Sequence, residues 1–204
     1  MGLKIITPPT EEQISLVEAR LHLRLDDDAD SPAAHPDDTL VAVLITAARQ
    51  HCEEWTRRAL GTQTVELALD AFPSAEIELP LAPIQSITSV KYVDANEVEQ
   101  TIAANQYVLD DFQEPGWLLP ATDAVWPTPA AVINAVKVRY VAGYSLPNDS
   151  PVSNPLPAAI KAAMLLVLGH LYENREASTE RPMTELPLGV QSLLLPYRLR
   201  LSMA

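Results

Sequence analysis

A chain of 204 residues with 14 Lys+Arg against 27 Asp+Glu carries a net charge of -13, too acidic to grip free nucleic acid by its phosphates. The single cysteine, Cys52, excludes an internal disulfide, and the start Met1-Gly-Leu-Lys-Ile-Ile-Thr7 lacks the charged opening and apolar core of a signal peptide. The length suits one compact domain or two small ones, and many of the 18 prolines gather at junctions, where they punctuate the elements.

Ser15-Leu-Val-Glu18 has the spacing of a capping box, and Leu16, Ala19 and Leu23 keep helical spacing, so a first helix is expected to end near Leu25. Asp26 to Asp30 and Ser31 to Pro36 read as a solvated loop. Asp37 and Asp38 then place negative charge at the start of a second helix, expected to run to Leu60. Leu40, Leu44, Ala47, Ala48, Cys52, Trp55 and Ala59 form its apolar stripe, and Gly61 stands where a left-handed cap is expected.

From Thr62 the period changes to two. Val65, Leu67 and Leu69 alternate with polar or small residues, as do Ile77 and Leu79 with Glu76 and Glu78, the pattern of half-buried strands. Further strands are expected at Ser89 to Val93, Glu97 to Ile102, Tyr107 to Leu109 and Ala135 to Ala142. In the last, Val136, Val138 and Tyr140 share one face and Lys137 and Arg139 the other. Asp94 to Glu97 reads as a hairpin turn, and the tight connections argue for antiparallel pairing.

After a proline-rich stretch, Pro157 suits the first turn of an apolar helix running to Tyr172. That helix is greasy on nearly every side and must be covered by protein, yet it is too short and mixed to span a bilayer. Pro187 opens a final short helix and Pro196 closes it. The expected fold class is α+β: a helical bundle formed by both chain ends, 1–61 and 146–204, with a small antiparallel β-module, 62–145, inserted between them.

Chemistry-bearing patterns are sparse. His51-x-x-Glu54 and His170-x-x-Glu173 each put an imidazole and a carboxylate on one helical face, but a carboxylate-bridged metal bundle uses the order Glu-x-x-His with further glutamates. Asp26, Asp28 and Asp30 mimic the opening of a calcium loop, with Ser31 where the turn wants Gly and Asp37 in place of the bidentate Glu. Cys52 lies on an apolar stripe, and there is no nucleophile elbow, phosphate-binding glycine loop or Cys-x-x-Cys pair. No catalytic residue, cofactor or metal is therefore expected. Trp117 and Trp126 offer a peptide or sugar platform, the alternative reading of the β-module, but plugging the edge of a small sheet is the better account.

The order of these segments resembles a known family. Ser15-Leu-Val-Glu-Ala-Arg-Leu-His-Leu-Arg-Leu25, the Leu40 to Leu60 helix leading into Gly61-Thr-Gln-Thr-Val65, Leu79 to Asp94, Val141-Ala-Gly-Tyr144, Ile160 to Ala177 and Leu186 to Arg198 together are similar to the head-tail connector proteins of long-tailed bacteriophages and prophages. The likeness is to the portal adaptors that carry a β-rich insertion between helices. It implies a non-enzymatic virion protein at the head-tail junction, made in the bacterial cytoplasm. It further implies a ring, usually of twelve copies, on the portal protein, a platform for a stopper or tail-completion protein, and DNA passing through without specific binding. No membrane is involved.

Within that resemblance, Asn174, Arg175 and Glu176 at the polar end of the long helix are candidate contacts between subunits, since Arg presents a planar fork to interface carboxylates. Arg181, Arg198 and Arg200 make the C-terminal end locally basic, which suits docking on an acidic portal surface and equally suits capping the protein's own acidic faces. Leu194, Leu195 and Tyr197 complete the candidate interface as apolar contacts. Deleting Ala177 to Ala204 is then expected to abolish portal binding and leave a folded core.

Overall fold

The computed structural model describes residues 1–25, 35–74, 76–146, 149, 154–175 and 188–199, and its fold is α+β. The chain forms two compact units. Met1–Thr10, Arg57–Tyr144 and Leu199 belong to a β unit, and Glu11–Thr56 with Ser145–Arg198 to a helical unit.

The β unit holds eight strands: β1 (Gly2–Thr7), β2 (Gln63–Leu69), β3 (Ile77–Leu79), β4 (Ile84–Val93), β5 (Glu99–Ile102), β6 (Tyr107–Asp110), β7 (Gly116–Pro120) and β8 (Val136–Ala142). They make a five-stranded sheet in the order β1-β2-β8-β4-β5 and a three-stranded sheet in the order β3-β7-β6, with every pairing antiparallel. Alternation does the sorting. Val65, Leu67, Val136, Val138, Tyr140 and Val90 are fully buried in one cluster with Leu79 and Leu118 of the smaller sheet. On the opposite face Glu66 sits across from Arg139 and accepts its Nη2–H at 2.6 Å.

Tyr140 is the largest of these buried side chains, and its hydroxyl donates to the Pro80 carbonyl at 2.8 Å. Burial pushes its pKa well above the usual tyrosine value, so it stays a donor throughout the accessible pH range. Tyr140→Phe keeps the ring and removes the bond. It is expected to lower unfolding stability by about 1–2 kcal/mol, read as a shift in the urea midpoint with unchanged slope.

The β4–β5 turn forms at Asp94 as expected: Asp94 Oδ1 accepts from the amides of Asn96 at 2.8 Å and Val98 at 3.0 Å, and Glu97 takes a left-handed φ of 60°. Three features differ from the sequence pattern. β4 starts at Ile84 rather than Ser89, because register shifts at Ile84/Ser86 and Ile87/Ser89 break the alternation over its first half. The stretch around Trp117, absent from the expected strands, is strand β7, with Pro120 at its end where a missing donor is tolerated. Gly2–Thr7, whose sequence shows no alternation, is an edge strand on β2.

The helical unit contains α1 (Leu16–Leu23), α2 (Asp38–Thr56), α3 (Ala158–Glu173) and α4 (Leu188–Leu194), followed by a 3-10 turn at Leu195–Tyr197. The capping box of α1 is present in both directions: the Glu18 amide donates to Ser15 Oγ at 3.2 Å and the Ser15 amide to Glu18 Oε2 at 3.1 Å. α2 stops at Thr56, four residues before the expected end. Arg57 adopts the left-handed φ of 60° that Gly61 was expected to supply. Its buried stripe is also turned by about one residue, centring on Val41, Ile45, Ala48 and Cys52, while Leu40, Leu44, Ala47 and Trp55 lie at its half-buried margin. Arg49 is buried beside this stripe, paired with Glu12 at 2.8 Å and Glu53 at 2.6 Å. Pro157 is the N-cap of α3 rather than its first residue, and Pro196 lies within the closing 3-10 turn.

Candidate assembly interface

α3 buries Ile160, Ala163, Met164, Val167 and Leu168, a single stripe at the i, i+3, i+4, i+7, i+8 spacing that faces the interior of its unit. The opposite side is also apolar. Ala158, Ala162 and Leu166, four residues apart, are exposed, with Leu166 at 41%. Val17 and Leu21 on α1 and Leu195, 63% exposed, add further open apolar surface to the helical unit. The greasy helix thus keeps an exposed apolar line through Ala158, Ala162 and Leu166, which ends at Gly169, where His22 of α1 comes close.

Its C-terminal end is fixed by chemistry that starts from helix polarity. Asp37 and Asp38 lie at the positive start of α2, and Arg175 follows the negative end of α3. The Tyr172 hydroxyl donates to the Asp37 carboxylate, and Arg175 Nη2 donates to the same Oδ2 at 2.9 Å. The Arg175 guanidinium also lies 4.4 Å over the Tyr172 ring, and its Nε donates to the Tyr172 carbonyl at 3.3 Å. Asn174 closes α3, its amide and Nδ2 donating to the His170 carbonyl at 3.0 and 2.9 Å. Next to this cluster, Arg20 forks onto Asp38, with Nε 2.7 Å from Oδ1 and Nη2 on Oδ2.

These contacts set the carboxylates' titration. Bonds from Tyr172 and then Arg175 hold Asp37 below the usual carboxylate value, and the Arg20 bond does the same to Asp38. At Glu18 burial pushes upward, but bonds from Lys161 and Ser15 outweigh it and the pKa falls. A carboxylate whose folded value lies below its unfolded one stabilises the fold above about pH 4 and stops doing so as pH falls through the folded value. The thermal midpoint of the helical unit is therefore expected to drop as pH is lowered from 5 to 3. Asp37→Asn should reduce that drop, as read by circular dichroism melts at the two pH values.

The other candidate contacts fall in several places. Leu194 is fully buried, as is Val190, so α4 is part of the unit's interior. A deletion from Ala177 would remove both, so the helical unit is expected to open rather than to stay a folded core. Leu195 and Tyr197 form the turn beyond, and the Arg198 guanidinium stands 5.2 Å over the Trp55 ring. Glu176, Arg181 and Arg200 lie outside the described residues.

The chemistry-bearing alternatives gain little. Among the described residues no three His, Cys, Asp or Glu side chains are grouped to hold a metal ion, and no helix is long and apolar enough to cross a membrane. Burial, then the Glu53 carboxylate, pushes the Cys52 thiol up to about 12, which leaves it without thiolate at neutral pH. Trp126 stacks on Phe72 with ring centres 4.9 Å apart and planes 7° from parallel, and both pack on the β core. A shallow groove of about 440 Å³ opens beside them between Pro73, Pro120, Val125 and Pro127.

No protein-family model and no curated protein sequence matches the chain. Solved structures do. A chain from the virion of a native gene transfer agent particle is 26% identical, with a TM-score of 0.76 over 100% of this chain and 99% of that one. A chain from the neck of an empty gene transfer agent particle, computed with C6 symmetry, is 25% identical with the same score and coverage. A third, from the neck of the native particle computed with C12 symmetry, shares the fold at 24% identity and a TM-score of 0.72. From end to end, this chain is similar in fold to chains found in the virion and neck of gene transfer agent particles.

Proposed function

We propose that this chain is a structural protein of a particle neck, a head-tail connector of the portal-adaptor kind that works by assembly rather than catalysis. The observation that carries this reading is the match over the whole length of both chains to a component of a gene transfer agent neck. Copies stand in a ring on the portal protein, twelve of them in the particle, and present a platform to a stopper or tail-completion protein. A six-fold axis in the related neck accords with that number, since chains placed off such an axis come in multiples of six. DNA crosses the ring without specific binding, and a net charge of -13 favours passage over grip.

The helices make one contact of the assembly in this reading, the one toward the portal. The open face of α3 around Leu166 and the exposed Leu195, next to the basic Arg198, offer apolar surface, and Asn174 and Arg175 add polar groups at the end of α3. Leu166→Glu puts a charge on that face while leaving the buried stripe intact. It is expected to weaken co-sedimentation with portal rings by about tenfold or more, with an unchanged melting curve. Portal binding equal to wild type would remove the α3 face from the interface.

A further inference from the structure

The five-stranded sheet is unevenly covered. Leu3 pairs with Leu67 and Ile5 with Val65, so the directly opposed side chains lie on one face of the sheet. Leu67 and Val65 are fully buried, whereas Leu3 is 43% and Ile5 51% exposed. Every residue of β1 is exposed, although Leu3, Ile5 and Ile6 are apolar. The smaller sheet and its packing partners cover the middle of the large sheet and leave the inward side of β1 overhanging. Among the described residues β1 is also an edge strand, hydrogen-bonded to β2 alone, six residues long and with no proline inside it. Proteins ordinarily blunt such an edge with short strands, charges or proline, because its free backbone groups template another strand. Lys4, across from Glu66, is the one charge present.

We infer that β1 is an assembly edge: a strand or extended segment of a second copy of this chain pairs with its free backbone and covers Leu3 and Ile5. This rests on the ring reading. An axis higher than two-fold cannot be built from a self-complementary contact, so each copy must offer one surface and receive a different one. An apolar edge unmatched among the described residues of its own chain is what such a head-to-tail contact uses.

Hydrogen exchange on the wild-type protein, dilute and then concentrated until it associates, tests the inference directly. The amides of residues 2–7 that point away from β2 are expected to exchange fast in the monomer and to become protected on self-association. The double variant Leu3→Glu with Ile5→Glu is expected to keep the monomer's circular dichroism spectrum and raise the dissociation constant for self-association about tenfold or more. Rings that form while those amides still exchange freely would overturn the inference and leave the ring reading standing. So would amides protected only after portal protein is added, which would assign the edge to the portal. A wild-type protein that never associates up to its solubility limit also overturns it, with the ring reading then resting on images of particles.

Discussion

Gly143→Ala is expected to unfold the β unit. Gly143 follows β8 with φ at +118°, a conformation that side chains rarely adopt. A Cβ placed there would lie 2.2 Å from the Gly61 carbonyl oxygen, 2.6 Å from its carbon and 2.9 Å from Thr62 Cα. All three are backbone atoms, so no side chain can swing aside to make room. The neighbourhood is also pinned, since the Gly143 amide donates to the Pro83 carbonyl at 2.9 Å and Gln85 Nε2 donates to the Gly143 carbonyl at 2.7 Å. Strain in φ and overlap with fixed backbone act together, and the loss should exceed about 3 kcal/mol. Urea unfolding or soluble yield reads it. Gly2→Ala, where a Cβ meets nothing within 4 Å, is the matched control and should be silent. A Gly143→Ala protein within about 1 kcal/mol of wild type would show that the Gly61 backbone does not lie against it.

Leu194→Ala and Leu195→Ala are expected to differ by several kcal/mol although the residues are adjacent. Leu194 is fully buried and its truncation leaves a cavity in the helical unit, a loss of about 2–5 kcal/mol. Leu195 is 63% exposed, and its truncation should change stability by no more than about 0.5 kcal/mol. The order reverses for assembly: Leu195→Ala is expected to weaken portal binding while the monomer melts normally. Chemical denaturation of the two variants, followed by co-sedimentation of the folded ones with portal rings, measures both effects. Equal stability losses would mean that α4 does not close the helical unit as described.

What could be read from the sequence follows from how local each signal is. β2 and β8 were legible because each alternates without interruption, with Val65, Leu67, Val138 and Tyr140 inside and Glu66 and Arg139 outside. The first half of β4 was hidden by its register shifts, which spoil the period that identifies a strand. β1 was hidden because both its faces are exposed, so nothing imposes alternation on Leu-Lys-Ile-Ile. At the end of α2 the glycine at 61 was the stronger local signal, but Arg57 takes the left-handed turn and frees Ala59 for the β core. Tertiary placement overrode propensity there.

The chemistry at the end of α3 was legible in part for the same reason. The polar end of α3 announced Asn174 and Arg175, and both do terminate the helix. The partner of Arg175, however, is Asp37, which is 138 residues away along the chain and read on its own only as a charge at a helix start. Leu194 and Leu195 looked alike as leucines before a proline, and only the packing of α4 separates a core residue from a surface one. The open side of α3 was masked by its own hydrophobicity, since a helix apolar all round gives no sign of which face its own chain covers.

The central claim is that this chain builds a ring at a particle neck, and electron microscopy of the protein mixed with its portal tests it most directly. Closed rings coaxial with the portal are expected, with copies in a multiple of six and density for both the helical and β units in each. Portal rings left bare beside free monomers, at concentrations where both proteins are folded, would contradict it.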